Sequence, residues 1–175
     1  MSLFQNKYRN ESIRLPNYDY TSPGYYFVTI CADNRNNYFG SIEDGVMQLS
    51  EFGKIAQFCW VEIPNHFKHA VLDEYIIMPN HIHGILILMD RKENSSGQAQ
   101  EAFGKPVVGS LGTILRSYKA AVTKMIHDKD INSPKKIWQK GYYERILQNE
   151  KGLFNVRRYI NHNPDNWIKD KLFIK

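Results

Sequence analysis

The stretch that decides the fold is Tyr75-Ile76-Ile77-Met78-Pro79-Asn80-His81-Ile82-His83-Gly84-Ile85-Leu86-Ile87-Leu88-Met89. Two apolar runs flank the dipeptide Pro79-Asn80, and this pattern predicts two buried strands joined by a tight turn. Because successive side chains of a strand point to opposite faces, we expect His81 and His83 on the same face. Two neutral imidazoles so placed can bind one divalent metal, but a buried hydrogen-bonded network would also satisfy them.

Hydrophobic periodicity along the rest of the chain predicts alternating strands and helices. The predicted strands cover residues 25–32, 71–78, 81–89 and 137–147, with a small hairpin at 38–42 and 46–49, and the predicted helices cover residues 50–63, 110–127 and 150–163. Pro64 is expected to end the first helix and Pro164 the last, and the strands at 71–78 and 81–89 are expected to be inner strands. This order predicts an α+β fold, a ferredoxin-like split β-α-β sandwich with an antiparallel sheet packed against helices.

The chain is long enough for one domain with a hydrophobic core. It has 175 residues, of which 42% are hydrophobic and 23% charged. We predict an N-terminal arm at residues 1–23 and a single domain at 24–175, with a mobile polar excursion at 90–109. No run approaches the roughly 18 apolar residues that a membrane span needs, and no apolar signal core is visible. We therefore expect a cytoplasmic protein without a membrane partner, in which Cys31 and Cys59 are buried thiols.

Positive charge is concentrated in the last part of the chain. The net charge is +5, but residues 1–110 hold 9 Lys/Arg and 12 Asp/Glu, whereas residues 111–175 hold 14 Lys/Arg and 6 Asp/Glu. Such asymmetry is typical of proteins that bind a phosphate backbone, although a solvated basic surface would also produce it. The 11 tyrosines, 9 phenylalanines and 3 tryptophans favour nucleic acid slightly, because aromatic rings stack on unpaired bases.

Tyr159 and Asn163 are the chemically informative pair of the last predicted helix. They are four residues apart, so we expect them on one face of this helix, one turn apart. A tyrosine hydroxyl is a poor nucleophile at its ordinary pKa near 10 and needs a base or a cation nearby to attack a phosphate. A metal held by the strand histidines could supply that cation, and the Asn163 oxygen could complete its ligands. Ordinary packing is the alternative for Tyr159.

Three blocks of sequence resemble the single-tyrosine HUH transposases, and most closely their REP-associated branch. They are Met78-Pro79-Asn80-His81-Ile82-His83-Gly84, Trp138-Gln139-Lys140-Gly141-Tyr142-Tyr143-Glu144 and Tyr159-Ile160-Asn161-His162-Asn163-Pro164, in the family's order. The resemblance implies that His81, His83 and Asn163 bind Mg²⁺ or Mn²⁺ and that Tyr159 is the nucleophile. Other members often carry Gln or Glu at the position of Asn163.

The same resemblance implies the reaction and the partners. It implies metal-dependent cleavage and strand transfer of single-stranded DNA through a 5′-phosphotyrosine, with recognition of DNA hairpins and assembly as a homodimer. Residues expected to contact the DNA backbone are basic: Arg116, Lys119, Lys124, Lys140, Arg145, Arg157 and Arg158. Two alternatives stay open at this point: a hairpin-binding protein of the same fold that does not cut, and a metallohydrolase that acts on nucleotides through His81 and His83.

Overall fold

Four strands form the main antiparallel sheet in the computed structural model, which describes residues 18–90 and 107–173 and the backbone of residues 3–4 and 7–8. In chain order the elements are β1 (Leu3–Phe4), β2 (Lys7–Tyr8), β3 (Gly24–Cys31), a 3₁₀ helix (Asp33–Arg35), β4 (Gly40–Glu43), β5 (Val46–Leu49), α1 (Glu51–Val61), α2 (Ile63–His66), β6 (Ala70–Met78), β7 (His81–Leu88), α3 (Leu111–Lys129), β8 (Tyr143–Leu147), α4 (Glu150–Asn161) and a second 3₁₀ helix (Pro164–Lys169).

The strand order of the main sheet is β6-β7-β3-β8, and every neighbouring pair is antiparallel. β3 and β6 are joined through α1 and are separated in the sheet by β7, which is the split β-α-β arrangement. The predicted α+β fold and the small hairpin, here β4 with β5, are therefore confirmed. The prediction that residues 71–78 form an inner strand is wrong. β6 lies at the sheet edge, and a bulge between Leu72 and Tyr75 interrupts its register with β7.

One face of the main sheet packs against α1 and α3. Ile82 and Leu86 of β7 belong to a buried cluster that includes side chains of both helices. Trp60 of α1 lies directly over Gly84, where a Cβ atom would come within 2.3 Å of the indole ring. Gly84 therefore allows the closest approach of α1 to the sheet, because any larger residue there would have to displace the buried indole.

The opposite face packs against α4. Ile85 and Leu147 of the sheet are buried against Val156 and Ile160 of this helix. Because side chains two apart share a face of a strand, Ile85 lies on the same face as His81 and His83. The packing of α4 thus brings the last helix to the face that carries both histidines.

Two helix boundaries differ from the sequence prediction. Pro64 does not end a long helix: α1 already ends at Val61, and Pro64 lies in the first turn of α2, where the missing N–H of proline costs nothing. α4 ends at Asn161, so Tyr159 and Asn163 do not share one continuous helix. The C-cap residue His162 has left the helical region, with φ −97° and ψ 8°, and Pro164 begins the following 3₁₀ helix.

The strand predicted at 137–147 is shorter in the structure, where β8 begins at Tyr143. Gly141 has φ +78°, a left-handed conformation that interrupts an extended strand. Before this turn, Trp138 makes an isolated antiparallel bridge with Ala32. Lys119 of α3 fixes the segment by donating hydrogen bonds to the carbonyl oxygens of Gln139 and Gly141, at 2.6 and 2.9 Å.

The two predicted flanking segments fall largely on residues that the structure does not describe. In the predicted arm at residues 1–23, β1 pairs with β2, and Tyr20 is buried beside Tyr26. The other residues of the arm before residue 18 lie outside the described residues. Of the predicted excursion at 90–109, residues 91–106 lie outside them. Cys31 and Cys59 are buried free thiols, as predicted. Within the described part of the chain, no helix is long and apolar enough to cross a membrane.

Candidate active site

The histidine pair lies at the beginning of β7, on the face covered by α4. Both imidazoles are buried, and their ring centroids are 4.4 Å apart. Across the sheet His81 is paired with Cys31 and His83 with Thr29 of β3. The strand alternation seen in the sequence therefore does bring the two rings together.

Burial keeps both imidazoles neutral. It lowers the pKa of His81 to about 3, with a smaller contribution from the positive charge of Arg35, and it lowers the pKa of His83 well below its ordinary value. The Nδ1–H of His81 donates to the side-chain oxygen of Asn80 at 2.8 Å, so Nε2 carries the lone pair. Within the described part of the chain that buried Nε2 has no hydrogen-bond partner.

Tyr159 reaches the histidines from α4. Its hydroxyl lies 3.1 Å from Nε2 of His83 and 3.2 Å from Oδ2 of Asp170. Burial, and next the negative charge of Asp170, raise the pKa of Tyr159 to about 12, so the hydroxyl is protonated at neutral pH. A hydroxyl has one proton and can donate to only one of these two neighbours at a time. Nδ1 of His83 is held by the hydroxyl of Thr29 at 2.8 Å.

Asn163 and Asp170 complete the cluster from the segment after α4. Asn163 is only 2% exposed, and its amide nitrogen donates to Oδ2 of Asp170 at 3.1 Å. Its side-chain oxygen is buried and has no partner among the described residues. Sequence reasoning missed Asp170, because it follows a 3₁₀ helix and stands in no fixed spacing to the histidines. Its carboxylate and the ring nitrogens of His81 and His83 offer ligand atoms that all lie within 4.8 Å of one another.

The donor set suits a divalent cation. Two neutral imidazoles, a buried amide oxygen and a carboxylate are ligands that Mn²⁺ and related ions accept. Two of these donors, Nε2 of His81 and Oδ1 of Asn163, are buried atoms without a hydrogen-bond partner in the described residues, which is unusual unless a ligand satisfies them. Each histidine has its other ring nitrogen held by a neighbour, as metal-binding histidines usually do.

Asn80 was predicted only as part of the turn before β7, but it connects three parts of the site. Its side chain is fully buried. While its oxygen accepts from His81, its amide nitrogen donates to the carbonyl oxygens of Leu172 at 2.8 Å and Arg35 at 3.2 Å. Trp167 packs against the His81 ring with 5.9 Å between centroids. Asn80 therefore ties the first histidine to the C-terminal segment.

A cavity of about 620 Å³ opens beside the cluster, and Tyr159 forms part of its wall. Its rim carries exposed polar and basic side chains. They include Tyr143, His162, Asn166, Lys169 and Lys171. The site is thus buried at the histidines and open at the tyrosine.

Three of the predicted DNA-binding residues lie a few residues along the chain from residues that line this cavity, although none of the three lines it. Lys140 is exposed in the segment that leads into β8. Arg145 of β8 is exposed and is paired with Phe27, which puts it on the same face as His83. Arg158 is exposed on α4, next to Tyr159.

The other four predicted DNA-binding residues are placed differently. Arg116 and Lys124 are exposed on α3, which covers the opposite face of the sheet, and Lys124 pairs with Asp128. Lys119 is bound to backbone carbonyls, and burial lowers its pKa to about 8. Arg157 forms a two-point ion pair with Asp73 of β6, at 2.9 and 2.5 Å.

Comparison with known proteins identifies one close relative and one shared fold. The chain is 35% identical over 173 residues to an uncharacterized protein of Haemophilus influenzae strain Rd, covering 95% of this chain and 94% of that one, and the two proteins belong to the same family. No family model matches the chain. Its fold is that of a REP-associated tyrosine transposase solved with a REP hairpin, with a TM-score of 0.58 and 17% identity over 95% of this chain and 74% of the other.

Proposed function

We propose that this protein is a transposase that cleaves and rejoins single-stranded DNA, with Tyr159 as the nucleophile. The observation that carries the proposal is the position of the Tyr159 hydroxyl, 3.1 Å from Nε2 of His83, beside a second buried neutral imidazole. A surface tyrosine far from the histidine pair would not have these neighbours. The likeness of the fold to a tyrosine transposase bound to a REP hairpin supports the same function.

The proposed metal ligands are His81, His83 and Asn163, and the metal is Mg²⁺ or Mn²⁺. Both histidines are neutral at neutral pH, and Nε2 of His81 and Oδ1 of Asn163 are free to bind a cation. When bound, the metal would polarise the scissile phosphate, and its positive charge would favour loss of the tyrosine proton, which burial and the negative charge of Asp170 oppose.

Tyr159 performs the covalent step. Its hydroxyl oxygen forms a bond to the phosphorus and loses its proton, while the bond from phosphorus to the 3′ oxygen breaks and that oxygen takes up a proton. The product is a 5′-phosphotyrosine and a free 3′-hydroxyl. Another 3′-hydroxyl can reverse the step and join a different strand, and no external energy source is needed because one phosphoester replaces another.

The DNA is proposed to enter through the open cavity beside β8. Lys140, Arg145 and Arg158 are exposed a few residues along the chain from its lining and can neutralise backbone phosphates. Tyr143 is 48% exposed on the cavity rim and offers a ring on which an unpaired base could stack. Arg116 and Lys124 remain candidates for contacts with a longer DNA. We also propose that the DNA strand contains a hairpin and that the protein acts as a homodimer.

Incubation with end-labelled hairpin DNA in Mn²⁺ tests this function. The wild type should give a covalent adduct that survives denaturing electrophoresis, and Tyr159→Phe should give none, because the attacking oxygen is missing. Tyr25→Phe is the matched control, since Tyr25 lies at the far end of β3 and is also partly exposed. Adduct from Tyr159→Phe equal to wild type would refute the nucleophile assignment.

The two alternative functions give different results in the same assays. A hairpin-binding protein that does not cut would bind hairpin DNA in a salt-sensitive manner and form no adduct with any divalent metal. A metallohydrolase would turn over small nucleotides, lose that turnover in His81→Ala and keep it in Tyr159→Phe.

A further inference from the structure

Asp170 is the one acidic side chain in the cluster of described residues around the histidine pair. We propose that it is a ligand of the divalent metal, so that the site consists of His81, His83 and a carboxylate in addition to Asn163. This inference rests on the proposed metal dependence and adds a residue that lies well beyond the tyrosine helix. Its support comes from geometry, charge and the way the residue is held.

The geometry brings Asp170 to the same space as the histidine nitrogens. One carboxylate oxygen and one nitrogen from each ring lie within 4.8 Å of one another. Nε2 of His81 is buried and has no partner in the described part of the chain. A cation at this position would satisfy that nitrogen and the carboxylate together.

Charge favours a carboxylate in this position. A histidine binds a metal as the neutral imidazole, and the Asn163 amide is neutral as well, so these three ligands leave both positive charges of the metal uncompensated. Hard divalent ions such as Mg²⁺ and Mn²⁺ prefer oxygen ligands, and carboxylates above all. Asp170 would supply both the preferred atom and one negative charge.

The chain holds Asp170 in place on both sides. Before it, Trp167 is buried against the His81 ring, and the backbone N–H of Asp170 donates to the Trp167 carbonyl at 3.0 Å. After it, the Leu172 N–H donates to Oδ1 of Asp170 at 2.6 Å, and the Leu172 carbonyl accepts from Asn80. Oδ2 therefore faces the cluster with its position fixed, and Asn163 donates to the same oxygen.

Calorimetric titration of the metal-free protein with Mn²⁺ tests this inference. We compare the wild type with Asp170→Asn, which keeps the shape of the side chain and removes its charge, and with Asp170→Ala as a second variant. Asp165→Asn is the matched control, because Asp165 is an exposed carboxylate of the 3₁₀ helix that precedes Asp170. His81→Ala reports on the metal site of the proposed function itself. Thermal melting without metal checks that each variant is folded.

We expect both Asp170 variants to bind Mn²⁺ about 10- to 100-fold more weakly, the range typical when a metal site loses a supporting group, while Asp165→Asn binds as the wild type does. If His81→Ala loses Mn²⁺ but folded Asp170 variants bind it as tightly as the wild type or more tightly, the inference is wrong and the proposed site of His81, His83 and Asn163 stands. If the wild type binds no Mn²⁺, or His81→Ala binds it equally, the metal dependence of the proposed function fails and the inference fails with it.

Discussion

At the scale of single residues, the buried side chain of Asn80 makes three hydrogen bonds that join separate parts of the site. Its buried amide accepts from Nδ1 of His81 and donates to two backbone carbonyls, one of them in the segment that carries Asp170. A buried donor or acceptor that loses its partner destabilises the fold. Asn80 therefore has two roles, since it orients a proposed metal ligand and it stabilises the C-terminal segment.

Replacement of Asn80 by alanine should affect both roles. We expect Mn²⁺ affinity to fall about 10- to 100-fold, because the His81 ring loses the group that orients it. The free energy of unfolding should fall by about 1–3 kcal/mol, because buried polar groups are left unpaired. Calorimetry and urea unfolding measure the two effects, and Asn65→Ala, at an exposed asparagine, should change neither. Unchanged Mn²⁺ affinity in folded Asn80→Ala would show that His81 does not depend on this amide.

At the scale of elements, α4 determines where Tyr159, the proposed nucleophile, lies relative to the sheet. Val156 and Ile160 fix its distance from the sheet through apolar packing. Arg157 fixes the position of α4 along the sheet, because the Arg157 guanidinium donates two hydrogen bonds to Asp73 at the bulge of β6. Tyr159 follows two residues later, so the ion pair and the Tyr159 hydroxyl belong to neighbouring positions of the same helix.

Asp73→Asn should lower stability and change its dependence on pH. The hydrogen bond from Arg157 lowers the pKa of Asp73 below its ordinary value. A lowered folded-state pKa means that the carboxylate stabilises the fold fully above the unfolded-state value near 4 and loses this effect as the pH falls through the lowered value. The Asp73 side chain is 9% exposed and that of Arg157 is 44% exposed, so the pair is partly screened.

We expect Asp73→Asn to cost about 1–2 kcal/mol at pH 7, between the values of exposed and buried pairs. The difference from wild type should shrink below about pH 4 as the wild-type carboxylate is protonated. Urea unfolding at several pH values measures this, with Asp128→Asn as the control because its pair with Lys124 is exposed. A constant difference between pH 7 and pH 3 would contradict the role of the Asp73 charge.

At the scale of the whole molecule, the structure shows where the excess positive charge of the C-terminal part lies. The C-terminal part, residues 111–175, has 14 Lys/Arg against 6 Asp/Glu. Some of these cations are committed to the fold, as Lys119 and Arg157 are. Lys140 and Arg145 are exposed in β8 and in the segment before it, whereas α3 covers the opposite face of the sheet from the histidine pair. We therefore propose that DNA contacts the region of β8 and not the exposed side of α3.

Reversal of the charge beside β8 should weaken hairpin binding. We expect the double variant Lys140→Glu with Arg145→Glu to bind single-stranded hairpin DNA at least tenfold more weakly and to reduce the salt slope of binding by roughly 1 to 2, since each lost phosphate contact contributes about 0.7. Lys54→Glu with Lys68→Glu makes the same change in charge at exposed positions of α1 and of the turn before β6, and should bind nearly as the wild type does. Equal effects of both double variants would indicate that only total charge matters.

The sequence by itself determined the local features of this protein. The alternation of β7 decides that His81 and His83 share a face, and the order of apolar segments predicts the antiparallel α+β fold, because both depend on neighbours in the chain. The edge position of β6 was not predicted, because it depends on which strands pair. The left-handed conformation of Gly141 and the end of α4 before Asn163 were not predicted either, because each depends on the backbone angles of a single residue.

The family resemblance implied that Tyr159 and Asn163 join the histidine pair, but their contacts and the presence of Asp170 are seen only in the folded protein. The hydroxyl of Tyr159 and the carboxylate of Asp170 reach the histidine pair from segments that are 76 residues or more away along the chain. No spacing in the sequence encodes that meeting, because it depends on the packing of α4 against the sheet and on the turn that returns the C-terminal segment past Trp167. The 3.1 Å hydrogen bond between Tyr159 and His83 joins α4 to the sheet, so it forms only when the chain has folded.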